Sequence, residues 1–298
     1  MVWCTYGALV VIWSSTWVAI KIGIEDVPPL LSAGVRFALA GAGLLAVARA
    51  LGRPLRTDVR LASVLGLLPF AAAYGLIYWG EQYVPSGLAA VLFGIMPLYT
   101  AGLAAVALSN EPLRARLLAG IGVAIGGLAL AFGESVALGH AKWAVLAAAA
   151  CALAPLASAI GNVAIKRRAR ELDPVALNGW AMLGGGALLL VVSAPAEDWG
   201  GAAWSTQAVG SVAYLAAIGS ALPFVALTLL LRELPAVTVS YIPLLLPFGA
   251  LAFGAALYDE HVTVLAVAGA VLVAGGLLIA QWPGRRPFGL RRAEARAG

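Results

Sequence analysis

Apolar runs of about 20 residues follow one another along the whole chain, separated by short polar or Pro/Gly-marked connections. A helix of that length crosses the hydrocarbon core of a bilayer. The runs are continuous and lack the period-two alternation of an outer-membrane barrel strand. The pattern predicts ten transmembrane helices, at approximately 3–22, 30–49, 61–81, 86–108, 114–133, 142–165, 175–194, 208–231, 236–257 and 263–282. Pro28-Pro29, Pro85-Ser86-Gly87, Asp173-Pro174 and Glu233-Leu234-Pro235 mark the connections.

The pattern repeats. Gly120 to Ala131 returns as Gly269 to Ala280, with Gly120, Gly126 and Gly127 falling on Gly269, Gly275 and Gly276. Upstream of these stretches, Glu111 falls on Glu260, and Pro97 on Pro247. A shift of 145 places Val18-Ala19-Ile20-Lys21 on Val163-Ala164-Ile165-Lys166, Pro29 on Pro174 and Gly34 on Gly179. One long period is the mark of a duplicated unit. Five helices per unit is an odd number, so the second copy is expected to cross the membrane in the opposite sense. That is the inverted repeat of many secondary transporters, whose substrate site lies near midplane between the halves. The expected divisions are 1–135, 142–282 and a basic tail, 283–298.

Composition agrees with an all-α polytopic membrane protein. The chain is 62% hydrophobic and 11% charged, with a mean hydropathy of +0.95, whereas soluble domains carry roughly 25% charged residues. The first run continues to Ile20 without a small-residue cleavage site, so no cleavable signal peptide is expected. With the N-terminus in the cytoplasm, the inner loops and tail hold 16 of the 19 basic residues, leaving Lys21, Arg36 and Lys142 to the outer half. Lys and Arg favour the cytoplasmic side, so both termini are expected inside, in the plasma (inner) membrane. Cys4 and Cys151 lie within apolar runs and read as small hydrophobes.

The candidate chemistry is sparse. Trp13 and Trp17, four residues apart, share one helical face beside Ser14 and Ser15. They read as the aromatic wall of a central cavity, or as packing residues with hydroxyls bonded to the preceding turn. Ser158 and Asn162 are the counterparts on the sixth helix, and an amide at that depth needs a partner. Tyr74, Tyr78 and Gln82 share a face next to Glu81. Glu81 reads either as a proton-coupling or substrate-amine carboxylate or as an exposed helix end. Arg36, about 10 Å into the second helix, needs compensation. Glu25 and Asp26 could supply it, or an anionic substrate group, with Glu81 another possible counter-charge; Lys21 is expected to pair with Glu25. Tyr241 is a further candidate for the cavity wall. Glu111 and Glu260 are placed to cap the helices that follow them. Leu68-Pro69-Phe70 recurs as Leu222-Pro223-Phe224 and predicts kinks in both copies. The Gly122/Gly126 spacing and Gly184 to Gly186 suggest close helix packing.

His140 and His261 form no cluster for a metal, and no Walker-type Gly-Lys-Ser/Thr is present. No cofactor, metal or nucleic acid is expected. The expected partners are a small-molecule substrate and membrane lipid, with the protein a monomer or a homodimer.

The stretch Ile12-Trp13-Ser14-Ser15-Thr16-Trp17-Val18-Ala19-Ile20-Lys21, then Pro28-Pro29-Leu30-Leu31, Val35-Arg36-Phe37, Val84-Pro85-Ser86-Gly87-Leu88-Ala89-Ala90-Val91-Leu92, Pro97-Leu98 and Glu111, resembles the EamA-type members of the drug/metabolite transporter superfamily. The resemblance covers nearly the whole chain. It implies two inverted five-helix units around a central cavity, and export of small metabolites such as amino acids or drugs by proton or exchange coupling. The second copy departs from the first: Ala181 stands where Arg36 does, and Trp-Ser-Ser has no exact counterpart. Roles at those positions are therefore asymmetric. The rivals are a transporter of nucleotide-linked or lipid-linked sugars on the same fold, expected to carry a laterally open or strongly basic cavity, and a membrane-embedded enzyme. Acidic residues spread over both sides of the membrane speak against the enzyme.

Overall fold

A computed structural model describes residues 2–84, 86–108, 111, 113–132, 142–249 and 264–281. Among these residues every regular element is helical. In chain order they are α1 (Val2–Asp26), α2 (Pro29–Ala50), α3 (Val59–Gly80), α4 (86–107, interrupted at Gly94-Ile95), α5 (Ala115–Phe132), α6 (Lys142–Arg168), α7 (Pro174–Ala196), α8 (Thr206–Glu233), α9 (Ala236–Gly249, interrupted at Ser240-Tyr241) and α10 (Val264–Gln281). Seven of them (α1 to α4 and α6 to α8) are long and apolar enough to cross a membrane, and α5, α9 and α10 are shorter apolar helices. The chain is a polytopic α-helical membrane protein. The capping expected of Glu260, the basic tail 283–298, and His140 and His261 lie outside the described residues.

Local sequence explains where several helices begin and bend. Pro29 and Pro174 open α2 and α7, where a missing backbone N–H costs nothing. Asp173 caps α7, its Oδ1 accepting from Val175 N at 2.8 Å and Ala176 N at 3.0 Å. The cap of α2 comes from far along the chain: the Glu197 carboxylate accepts from Leu30 N at 2.8 Å and Leu31 N at 2.9 Å. The expected kinks in both copies are π-helical stretches, Gly66–Ala73 around Pro69 and Ala217–Ala221 just before Pro223. Proline removes the i→i−4 bond and the helix widens locally.

Two glycine-mediated helix pairs hold the bundle. In α2 and α7, Gly41 meets the backbone of Gly179 and Leu183, while Gly34 and Gly186 face each other. In α5 and α10, Gly120 meets Gly276 and Gly127 meets Gly269. A methyl group added at Gly120 would lie 2.5 Å from the Gly276 carbonyl oxygen. Small residues let helix backbones approach this closely in lipid. The expectation that Gly122 and Gly126 do so is corrected: nothing lies within 4 Å of a methyl built on either, and both face outward. The contact stripe on α5 runs at a seven-residue spacing, two full helical turns. Of Gly184 to Gly186, only Gly185 and Gly186 are in close contact.

Glu111 does act as a cap, but on a different helix from the one expected. Its two carboxylate oxygens accept from Ala236 N at 2.9 Å and Val237 N at 3.3 Å, at the start of α9 and not of α5. Lys21 also finds another partner: Nζ donates to the Glu81 carbonyl oxygen at 2.9 Å, and not to Glu25. Its counterpart Lys166 donates to the Leu234 carbonyl oxygen at 2.9 Å.

Candidate functional site

The six helices outside the two glycine pairs frame a central cavity. Trp13, Thr16, Trp17 and Ile20 of α1 line it, with Tyr74 of α3, Phe93 and Met96 of α4, Ser158 and Asn162 of α6, Phe224 of α8 and Pro243 of α9. Its volume is about 70 Å³, space for a few waters. The walls are mostly aromatic. Trp13 packs on Phe224 with ring centroids 5.3 Å apart, and Trp17 meets Phe93 edge-on at 6.0 Å.

Two polar groups on this wall have no partner among the described residues. The Trp17 indole Nε1 is buried without an acceptor. The Asn162 amide, on a residue only 6% exposed, makes no hydrogen bond to another described residue. An orphaned buried donor or acceptor costs about 1–3 kcal/mol. The Trp17 donor and the Asn162 amide on this wall give a guest with its own donors and acceptors something to satisfy.

The other residues singled out from the sequence fall into place around this cavity, not all of them on it. The Ser14 hydroxyl donates to the Val10 carbonyl at 2.7 Å, bonds its own helix and faces Gly249. Ser15 and Thr16 likewise bond the preceding turn, to Ile12 O at 2.7 Å and Trp13 O at 2.8 Å. Tyr241 is buried at the interruption of α9 and is not among the lining residues. Tyr78 is buried behind the wall. Glu81 is fully buried at the end of α3, so the reading of it as an exposed helix end is corrected.

Arg36 is fully buried, and its compensation does not come from Glu25 or Asp26. Nε donates to Ser220 Oγ at 2.8 Å, Nη1 to Tyr78 Oη at 3.0 Å and Nη2 to the Gly219 carbonyl oxygen at 3.3 Å. The guanidinium also lies 5.0 Å from the Phe37 ring centroid and 4.9 Å from that of Tyr74, within cation–π range. Asp26 instead accepts from Ser205 Oγ. None of these partners of Arg36 carries a full negative charge, and Glu81 is not among them. The Gly219 carbonyl is available because Pro223, four residues on, has no N–H to give it. Trp13 Nε1 also donates to that oxygen, at 3.2 Å. One freed carbonyl thus ties the buried cation to a cavity wall, and the Tyr74 ring touches both.

Reading the sequence missed Ser220, Gly219 and Phe224. The signal was present in Leu222-Pro223-Phe224, since an intrahelical proline always frees the carbonyl four residues before it. Asn178 was missed as well: its Nδ2 donates to Thr228 Oγ1 at 2.8 Å and holds α7 to α8.

The EamA-like transporter family matches residues 2–133 and 142–281. A probable terminal-alkyne amino-acid exporter of Streptantibioticus cattleyicolor is 31% identical over 97% of this chain and 95% of its own. A probable amino-acid metabolite efflux pump of Salmonella typhimurium is 31% identical over 91% of each. The uncharacterized transporter YoaV of Bacillus subtilis is 28% identical over 91% of this chain and 94% of its own. A solved crystal structure at 18% identity superposes with a TM-score of 0.78 over 93% of this chain and 95% of that one, which shows a shared fold.

Proposed function

Because the chain belongs to the EamA-like transporter family, we propose that it is a secondary exporter of small metabolites carrying a carboxylate, amino acids or their analogues among them. In this reading ten helices form two inverted five-helix repeats, 1–135 and 142–282, followed by the tail 283–298, with both termini cytoplasmic. The reciprocal glycine contacts support the inversion. Gly34 and Gly41 match Gly179 and Gly186 under the shift of 145, yet Gly34 touches Gly186 and Gly41 touches Gly179. Such crossed pairing is what a two-fold axis between antiparallel helices produces. The two lysine bonds, Lys21 to Glu81 O and Lys166 to Leu234 O, repeat the relation at opposite ends of the bundle. In the proposed cycle these bonds form and break as alternating access opens one end at a time.

The observation that carries the substrate reading is an aromatic cavity with polar groups on its wall and, behind it, a buried cation held by a hydroxyl, a phenol and a carbonyl. Trp13, Trp17 and Asn162 would hold the body of the substrate. Arg36, reached by displacement of the Tyr74 ring, would take its carboxylate, and Tyr78 would hold the guanidinium when the site is empty. Ser14 and Tyr241 would act as second-layer supports. Glu81 is proposed as the coupling carboxylate. Two relatives named for export of amino acids or their metabolites are consistent with this class. Among the described residues no Lys or Arg lines the cavity, which favours it over a nucleotide-linked sugar.

The test is efflux from proteoliposomes for a panel of amino acids, the corresponding decarboxylated amines and a nucleotide sugar, at two pH values. Amino acids or close analogues should be transported, the amines should not, and Glu81→Gln should abolish the pH dependence. Transport of the amines equal to that of the acids would sink the carboxylate reading, and unchanged pH dependence in Glu81→Gln would sink the coupling role.

A further inference from the structure

A second cavity, separate from the central one, opens where α4, α6 and α8 end on one face of the bundle. It is a recess of about 770 Å³. One wall is apolar, the last turn of α4 (105–108), where Val106 is 91% exposed. An aliphatic side chain so exposed near the end of a membrane-spanning helix is available to lipid. The lining also holds four cations, Lys166 and Arg167 in the last turn of α6, Arg170 just after it and Arg232 of α8. Glu111 is the acidic residue on the lining, and both its carboxylate oxygens already cap α9.

Three of these cations keep donors to spare. Lys166 Nζ has three and gives one to Leu234 O. Arg232 adds its charge: Nη2 bonds the carbonyls of Ala169 and Leu172, at 2.7 Å to the former, and its Nε is buried. Arg167 and Arg170 are exposed at the mouth. The scaffold itself does not demand them. Under the shift of 145, Lys166 matches Lys21, which makes the same kind of carbonyl bond, whereas Arg167 and Arg170 match Ile22 and Glu25. The extra arginines on this face are an addition to the shared helix-end geometry.

We propose that this recess binds the phosphate headgroup of an anionic phospholipid from the surrounding bilayer, with an acyl chain lying along Val106. The occupant follows from the apolar wall and the cations taken together. A phosphodiester needs several donors and positive charge, and only a lipid also brings hydrocarbon to the adjacent apolar strip. Basic pockets between membrane helices at the headgroup level are where such lipids bind.

The experiment uses the purified full-length protein in detergent, titrated separately with phosphatidylglycerol, phosphatidylcholine and inorganic phosphate, and read by thermal unfolding and by native mass spectrometry of retained lipid. Phosphatidylglycerol should raise the unfolding temperature and remain bound, while phosphatidylcholine should do neither. The double variant Arg167→Gln/Arg170→Gln, changed only at exposed side chains, should weaken phosphatidylglycerol binding at least several-fold. Val106→Gln should weaken it too, without altering the charge. Equal stabilisation by both lipids would overturn the proposal, as would retention unchanged in the double variant. Stabilisation by inorganic phosphate as large as that by phosphatidylglycerol would overturn the lipid assignment.

Discussion

Arg36 is the residue whose environment departs furthest from what a membrane interior tolerates. It is held by a hydroxyl from α8, a phenol from α3 and a carbonyl that Pro223 leaves free. The three nitrogens of the guanidinium fork reach three acceptors, two on α8 and one on α3, a geometry that an ammonium cannot reproduce. Arg36→Lys is therefore expected to lower the unfolding temperature, since each acceptor left unmatched costs about 1–3 kcal/mol. In the protein that remains folded, the preference for a substrate acid over its methyl ester should fall by about tenfold, or 1.4 kcal/mol, by direct binding measurement. Asn162→Leu is the contrasting variant. Because its amide bonds no described residue, substrate affinity should fall while the unfolding temperature holds. A large loss of stability in Asn162→Leu would mean that the amide supports the fold.

At the scale of elements, the glycines divide by helix face. Gly120 and Gly127 lie against α10, whereas Gly122 and Gly126, in the same helix, look outward. Gly120→Leu should destabilise the protein by about 3 kcal/mol or more, the upper end of the overpacking range, because the clash is with backbone that cannot rotate away. Gly126→Leu should leave the unfolding temperature unchanged or slightly raised, since a better helix former replaces Gly at an open position. Thermal unfolding of the two variants side by side decides the matter. The seven-residue stripe was present in Gly120 to Ala131 and its repeat, but so was the four-residue spacing that the sequence made more conspicuous. A glycine pattern by itself does not say which face the partner helix chooses.

For the molecule as a whole, the proposal of two opposed repeats makes a prediction about sidedness. In a protein with Cys4 and Cys151 replaced by Ser, single cysteines at Arg56 and Arg167 should react with a membrane-impermeant maleimide from the cytoplasmic side only. One at Gly200, in the connection between α7 and α8, should react from the outside only. Labelling of Arg56 and Gly200 from the same side would remove the topology on which alternating access rests. The small cavity belongs to this scale as well. About 70 Å³ lies between six helices, from α1 to α9, and in the proposed cycle a larger substrate is admitted by movement of these helices.

Sequence by itself pointed to a helical membrane protein and showed prolines and glycines of its first half recurring in its second at a fixed shift. Those properties depend on hydrocarbon length, period and spacing, which are local along the chain. The tertiary structure decided the partners. Glu111 caps a helix that begins 125 residues later, Arg36 bonds a serine 184 residues away, and Trp13 shares the carbonyl that Arg36 uses. Buried polar groups in lipid must be matched by whatever the folded bundle brings next to them, because water is absent. Which group arrives is set by how antiparallel helices cross, and no local pattern contains that information.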